Sequence, residues 1–384
     1  MRSKHLFSIL CGIWLIDRIC KQVAIWHCFR RPTPTVPDVW PTISVLQPIT
    51  RGVHDLACNL TSRLNQQYDA DVQHILICDQ NDTDNLAICR QLQIAFPAIQ
   101  LVIMNGAAIA SKIEKLQAGL PYATGEVLMF VDDDVALRPG AFQHMATYLE
   151  TPQTGAVFGL ACYTNWQTRS AALMSAFVNA NALLNYIPVT YLTHPYTITG
   201  HYFAFKHAVF EVIGGLSHMD GRLDDDHELA RRVERYGLHN VQMPLVYDID
   251  NHLTTWAAYA GQMKRWFVIP QQCMLDDMAL RDKVTTSVLS VGMFIPPFLM
   301  LVSLFMPQRR LIVGLVALCE LWQYRHNERR YLGRQTPWHA LWAVPVSLFL
   351  SPLLILRALS GDDEIQWRGQ RIRVRRGGGM EVQS

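Results

Sequence analysis

Three carboxylates stand side by side at Asp132, Asp133 and Asp134, directly behind the apolar run Val127-Leu-Met-Phe-Val131. Like charges this close destabilise one another unless something positive sits among them. A divalent cation bridging a diphosphate is a natural partner, because hard carboxylate oxygens suit magnesium or manganese. In an extended turn the first and third side chains point the same way, so Asp132 and Asp134 can share one ion. The plainer reading is a solvated acidic loop.

Three other clusters offer chemistry. Asp79, Asp82 and Asp84 follow the apolar run His74–Cys78. An acid there can accept from the imide N–H of uracil. Equally, Asn81, Asp82 and Thr83 suit an Asx turn and a helix N-cap, and the two readings stand level. Asp224, Asp225 and Asp226 precede a stretch in which Leu229, Val233 and Tyr236 share a helical face and Gly237 ends the pattern. Acids at a helix start are ordinary, because the dipole favours them. The chemical reading is a general base for an acceptor hydroxyl. With the helix beginning near Asp226, that residue lies towards the buried side, and Asp224 and Asp225 fall in the preceding loop and see more water. Finally, Gln262-Met-Lys-Arg265-Trp266 joins an amide, a permanent cation and an amphipathic ring. Arginine grips diphosphate in a forked geometry. The same run also suits a basic-aromatic anchor at a membrane surface.

These clusters need elements to hold them. From Thr42 short apolar runs alternate with helix-length amphipathic stretches. Strands are expected at Ile43–Leu46, His74–Cys78, Gln100–Met104, Val127–Val131 and Ala156–Leu160, with helices near 53–66, 83–95, 111–122 and 139–150. This β-α-β-α order implies an α/β fold with a mostly parallel sheet covered on both faces. Ligands bind such sheets beyond the carboxyl ends of the strands, where Asp79 and Asp132 stand.

Of 384 residues, 17% are charged, against about 25% in an average soluble domain. The shortfall is local: 284–306 and 338–356 carry almost no charge and read as transmembrane helices. The run 311–324 is shorter and holds Glu320, which suits a short span or a re-entrant segment. Residues 171–192 are apolar but carry Asn179, Asn181 and Asn185, as a helix on the membrane or over the active site would. At the N-terminus, Leu6–Ile16 is too short to cross a bilayer, and Asp17, Arg18 and Lys21 interrupt it. A poor anchor or an interfacial helix is expected there. The implied organisation is an N-terminal anchor or interfacial helix with linker (1–39), a catalytic domain (40–280), transmembrane helices (281–360) and a basic tail (361–384). A net charge of +2 offers no bulk field for nucleic acid. Nine cysteines without a CxxC pair read as buried thiols rather than a disulfide framework or zinc site.

First acid, DxD, third acid and QxxRW, in this order, resemble the core of family 2-type glycosyltransferases. The fuller resemblance, over roughly 42–380, is to ceramide glucosyltransferases, and bacterial hopanoid-associated glycosyltransferases share the pattern. Ile77–Leu92 resembles the stretch around that family's first aspartate, Ser111-Lys112-Ile113 its lysine motif, and Gly159–Tyr163 its GLPY segment. Ile365–Gly369 and the basic run behind it resemble its C-terminal tail. The resemblance implies a nucleotide-diphospho-sugar transferase (GT-A) fold with C-terminal membrane helices and its catalytic domain facing the cytosol. It implies an inverting hexosyltransferase that uses a UDP-sugar, most simply UDP-glucose, with Mn2+ or Mg2+ and a membrane lipid such as ceramide. Hopanoid or diacylglycerol glycosylation, or a polysaccharide synthase-like reaction, are the alternatives. By the same resemblance Asp79 or Asp82 contacts uridine, and Lys112 lies near the nucleotide. Asp132 and Asp134 hold metal and diphosphate, and Asp226 is the base. Gln262, Arg265 and Trp266 line the diphosphate and acceptor mouth. The sequence departs from the animal enzymes in keeping all three acids of its DDD run. For the basic tail, the positive-inside rule favours the cytosolic side, which two C-terminal spans satisfy and three do not.

Overall fold

The structure is a computed structural model that describes residues 2–106, 109–367 and 370–383, so Arg368 and Gly369 of the tail motif lie outside the described residues. In chain order the elements are α1 (Arg2–Cys28), β1 (Ile43–Pro48), α2 (Leu56–Leu64), β2 (Val72–Asp79), α3 (Thr83–Ala95), β3 (Ile99–Met104), α4 (Lys112–Gly119), β4 (Val127–Val131), β5 (Val135–Ala136), α5 (Ala141–Leu149) and β6 (Thr154–Tyr163). There follow α6 (Arg169–Asn181), α7 (Ile187–Val189), β7 (Tyr202–Lys206), α8 (His207–Val212), α9 (Asp225–Arg235), β8 (His239–Ile249), α10 (Trp256–Cys273), α11 (Leu280–Phe305), α12 (Arg310–Asn327), α13 (Ala343–Ser360) and β9 to β11 (Glu364–Trp367, Gln370–Val374, Met380–Gln383). They form two compact units: one of residues 32–161 and 194–250, the other of residues 1–31, 162–193 and 251–384.

The first unit is built on an eight-stranded sheet ordered β3-β2-β1-β4-β7-β6-β8-β5. Strands β3, β2, β1 and β4 run parallel, with Ile43 beside both Val72 and Val127. Beyond β4 the direction reverses: β7 runs antiparallel to β4, and β6 antiparallel to β7. All five residues of β4 are buried, which is why it reads as an unbroken apolar run rather than an alternating one. Its core includes Phe130, Phe203, Phe205, Leu229 and Val233. Leu229 and Val233 therefore fix which face of α9 turns inward. Gly237, at φ +73°, then ends that helix in the left-handed conformation that glycine adopts without strain.

The second unit is mainly helical. Among the described residues, three helical segments are long and apolar enough to cross a membrane: Arg169–Val189, Leu280–Phe305 and Trp338–Ser360. The first is two-thirds buried within its unit, so the asparagines of 171–192 belong to an interior helix. Residues 311–324 form part of the unbroken helix α12. Helix α1 is neither short nor peripheral. It runs for 27 residues, and its Phe7 and Trp14 pack with Ile295, Leu299, Val313 and Val316 of α11 and α12. The charges that interrupt its hydropathy are paired inside the bundle. Trp14 Nε1 and Arg18 Nε both donate to Glu320 Oε1, at 2.6 and 2.7 Å. Lys21 Nζ lies 3.1 Å from Asp17 and donates to Leu289 O at 2.7 Å. Gly292 makes room for this pairing, since a Cβ there would meet Asp17 Oδ2 at 2.1 Å. Ion pairing across helices, which a hydropathy scan of α1 cannot see, lets these charges lie inside a helix bundle.

The tail forms a small antiparallel sheet, β9-β10-β11. It is held to α10 by Gly377 N donating to Gln272 O at 3.1 Å and by an ion pair between Lys264 and Asp362.

Candidate functional site

The DDD run follows β4 and is held by strand pairing and by a buried cation on helix α2. Asp132 N–H donates to His201 O at 2.8 Å, continuing the pairing of β4 with β7. Beneath the turn lies Arg63 of α2, wholly buried. It donates to the carbonyls of Asp132 and, at 2.8 Å, of Val135, and to Gln47 Oε1 at 2.9 Å. Burial pulls Arg63 down to about 10, and the carboxylates, Asp133 first, oppose that pull. Asp133 turns inward and accepts from Thr50 N–H. Burial, and then Asp134, push it up to about 7. Asp132 and Asp134 are the half-exposed members, so the alternation of an extended turn holds. Asp134 Oδ1 is buried and has no hydrogen-bond partner among the described residues. An orphaned carboxylate oxygen costs free energy. A hard cation would satisfy it, so these residues fit the divalent ion that the run suggests. His201 Nδ1 is also buried without a hydrogen-bond partner among the described residues. Nothing in the sequence flagged His201 or Arg63, because their roles come from strand pairing and from a helix 69 residues before Asp132.

Lys112 opens α4, behind a capping box formed by Ser111 and Glu114. Its Nζ reaches Asp132 Oδ1 at 2.7 Å, Gly200 O at 2.8 Å and Asp225 Oδ2 at 3.9 Å. Burial would lower its pKa, but Asp132 and then Asp225 outweigh this and raise it. Asp226 stands in the same cluster. A Cβ on Gly200 would come within 3.2 Å of Asp226 Oδ2, so a larger residue there would press on that carboxylate. Asp226 Oδ1 accepts from His227 N–H at 2.8 Å. Burial, and then Asp225, push Asp226 up to about 7, against the pull of Lys112. Asp224 departs from expectation. It is 1% exposed rather than open to water, because Arg222 grips it at 2.9 and 3.1 Å and takes it into the interior at the start of α9.

Asp79 and Asp82 lie at the end of β2 and the start of α3, both buried. Lys115 Nζ sits 2.7 Å from Asp79 Oδ2, and Ala110 N–H donates to Oδ1 at 3.1 Å. Asp82 instead accepts from Asn85 at 2.8 Å and makes no side-chain cap to its helix. Gln262, Arg265 and Trp266 belong to α10 in the helical unit. There Trp266 packs edge-on to Tyr163 and stacks near Phe177, with ring centroids 6.2 and 6.4 Å apart. A further group, His54, Asp55 and Asp250, places three ligand atoms within 4.8 Å of one another. Its residues are exposed or half-exposed, and such groups are common on surfaces without an ion.

One cluster thus gathers a paired acid, a cation and an acid whose pKa lies near neutrality. It can bind an anionic group and take a proton beside it. The sequence matches the glycosyl transferase family 21 pattern over residues 7–380. Among solved structures, the fold is similar to the mannosyltransferase PcManGT from Pyrobaculum calidifontis in complex with GDP-Man and Mn2+. That match is 15% identical with a TM-score of 0.55, and it covers 91% of this chain and 99% of the other. It is also similar to GalNAc-T7 with UDP, GalNAc and Mn2+, at 11% identity and a TM-score of 0.45, covering 67% of this chain and 55% of that one. A comparison with curated proteins finds no match. The first structural likeness shows the GT-A fold and no more than the fold.

Proposed function

The chain belongs to glycosyl transferase family 21, and from that premise we propose that it transfers a hexose, glucose first, from a UDP-sugar to the hydroxyl of a membrane lipid such as ceramide, with inversion. The observation that carries this reading is the cluster of Asp132, Lys112 and Asp226 on one set of strand and helix ends. It offers an anion-binding cation and a base with a pKa of about 7 side by side.

Asp226 Oδ2 accepts the proton of the lipid hydroxyl. The hydroxyl oxygen bonds to the anomeric carbon as the bond to the diphosphate oxygen breaks. A base poised near neutrality is well matched to this task. Lys112 holds Asp132 in place and contributes positive charge where the diphosphate leaves. Asp132 and Asp134 would hold a magnesium or manganese ion, which supplies charge neutralisation to the departing diphosphate. Asp133 and Arg63 fix the turn that presents them. Asp79 or Asp82 would accept from the uracil imide. For Gln262, Arg265 and Trp266 we carry forward the diphosphate and acceptor roles that the family pattern implies. The apolar helices support an integral membrane protein, with the catalytic unit on the cytosolic side where nucleotide sugars are made.

The test is nucleotide release by the detergent-purified chain, with UDP- and GDP-hexoses offered against ceramide, a hopanoid alcohol and diacylglycerol. The reading expects lipid-dependent UDP release with UDP-glucose. Release that is independent of lipid, or exclusive to GDP-sugars, would overturn it.

A further inference from the structure

Helices α1 and α12 of the helical unit run side by side in the same direction. Phe7 packs with Val313 and Val316, Arg18 donates to Glu320, and Gln22 bonds to Gln323 and Asn327. The two helices therefore end together, and the chain just past each end is basic. Arg30 and Arg31 follow α1, and Arg329, Arg330 and Arg334 follow α12. Phe29 and Tyr331 meet there with ring centroids 4.9 Å apart. Beside them lies a half-open pocket of about 130 Å³, lined by Trp26, Phe29, Arg30, Arg330 and Tyr331. That is room for several waters or for the oxygens of a phosphate group.

The charge of this pocket is unbalanced. Arg30 lies over the Trp26 ring, 4.8 Å from its centroid, which orients the guanidinium without neutralising it. Neither Arg30 nor Arg330 has an acidic side-chain partner among the described residues. Glu328 is the only acid in 321–338, and it turns inward to accept from Thr336 at 2.7 and 3.0 Å. Two neighbouring arginines are already engaged: Arg31 lies over the Tyr191 ring at 4.6 Å, and Arg325 donates to Thr336 O at 2.5 Å. Two guanidinium groups thus line one small pocket with aromatic walls and no carboxylate to answer them. Their forked donors match phosphate oxygens. A zwitterionic head would bring its own cation against the same pair.

Position in the bundle selects the source of the phosphate. α1 and α12 pack on α11, which is long and apolar enough to cross a membrane. Arginines beside tryptophan and tyrosine mark a membrane interface, and the positive-inside rule assigns such an end to the cytosolic leaflet. Anionic phospholipids enrich that leaflet, and basic pockets between helices take their heads.

We infer that the pocket between the ends of α1 and α12 binds the phosphate of an anionic phospholipid. This does not rest on the transferase reading, because binding is read with neither sugar donor nor acceptor present.

The test is native mass spectrometry of the delipidated full chain in detergent, titrated with phosphatidylglycerol or with phosphatidylcholine. Inorganic phosphate is added as competitor. The expected result is one tightly retained phosphatidylglycerol per chain, preferred over phosphatidylcholine and not displaced by an excess of inorganic phosphate. Arg30→Gln and Arg330→Gln should each weaken that binding about fivefold, and the double variant about thirtyfold. Arg330→Lys should recover part of the loss, and Arg376→Gln in the basic tail should change nothing. Unchanged thermal unfolding and UDP binding show that the variants are folded. Should Arg30→Gln fail to fold, Arg330→Gln decides alone. Equal retention of phosphatidylcholine, full binding in the folded double variant, or an equal loss in Arg376→Gln overturns the inference. Displacement by inorganic phosphate also overturns it, leaving a site for a soluble anion.

Discussion

Replacing Asp226 by asparagine keeps the shape of the side chain and the hydrogen bond from His227 N–H, and removes the proton acceptor. Loss of a positioned base costs about 10²–10⁴ in rate, equivalent to roughly 2.7–5.5 kcal/mol of barrier. UDP affinity should hold, because Asp226 is not among the groups proposed to bind the nucleotide. The neighbours then give a sharper signature. With Asp226 at about 7, the ionised fraction is roughly half at pH 7 and under a tenth at pH 6, so turnover falls about fivefold over that unit. Asp225 raises Asp226, so Asp225→Asn should move the acidic limb of the turnover profile to lower pH. Lys112 lowers it, so Lys112→Gln should move the limb to higher pH while weakening donor binding. Asp224 raises Asp226 more weakly than Asp225 does, so Asp224→Asn should move the acidic limb the same way by less, while breaking the ion pair with Arg222. The assay is turnover from pH 5.5 to 8.5 at saturating donor, with UDP affinity and thermal unfolding measured alongside. Near-normal turnover in Asp226→Asn, or acidic limbs that shift the other way, would refute the reasoning.

Chelation should abolish transfer and added manganese or magnesium should restore it, with Asp134→Asn raising the metal concentration needed; full activity in chelator would count against the ion. Arg63→Met removes the donor to Val135 O and Gln47 Oε1 and one of two donors to Asp132 O, and takes the cation from beside Asp133, so unfolding should become easier by about 3 kcal/mol or more, and an unchanged melting curve would deny Arg63 its role. Glu320→Ala takes the acceptor from Trp14 Nε1 and from Arg18 Nε, though Arg18 keeps Asp17 and Gly292 O, and should lower stability in detergent by about 1.5–3 kcal/mol; equal stability of the wild type and the variant would contradict the packing of α1. The chain should resist carbonate extraction from membranes, and recovery without detergent would tell against its spans.

The parts of this fold that sequence reveals are those whose cause is local. Helix α3 and strand β4 stand where their hydrophobic pattern places them, since one turns Leu86, Cys89 and Leu92 to the core and the other is an unbroken buried run. The four parallel strands follow from the β-α-β-α order. The antiparallel half does not, because β7 enters beside β4 from about 70 residues downstream, and no local pattern announces that pairing. Likewise the acids of the site were legible as clusters, yet their surroundings were not. Arg222 draws Asp224 inward, and Arg63 supports the acid turn from another helix. The charges of α1 are a further case. A residue-by-residue scale counts Asp17, Arg18 and Lys21 as reasons not to enter a bundle. Glu320 and the backbone of α11 supply partners that only the folded structure brings near.

The central claim is the transfer of a hexose from a UDP-sugar to a lipid hydroxyl by direct displacement. The chain, reconstituted with UDP-[13C]glucose and a neutral hydroxylated lipid, should yield a glycolipid whose anomeric carbon is read by NMR. The α-linked donor should give a β-linked product, and Asp226→Asn should form it about a hundredfold or more slowly at unchanged UDP affinity. An α-linked product, or no labelled glycolipid from a protein that binds UDP and carries its metal, would contradict the account.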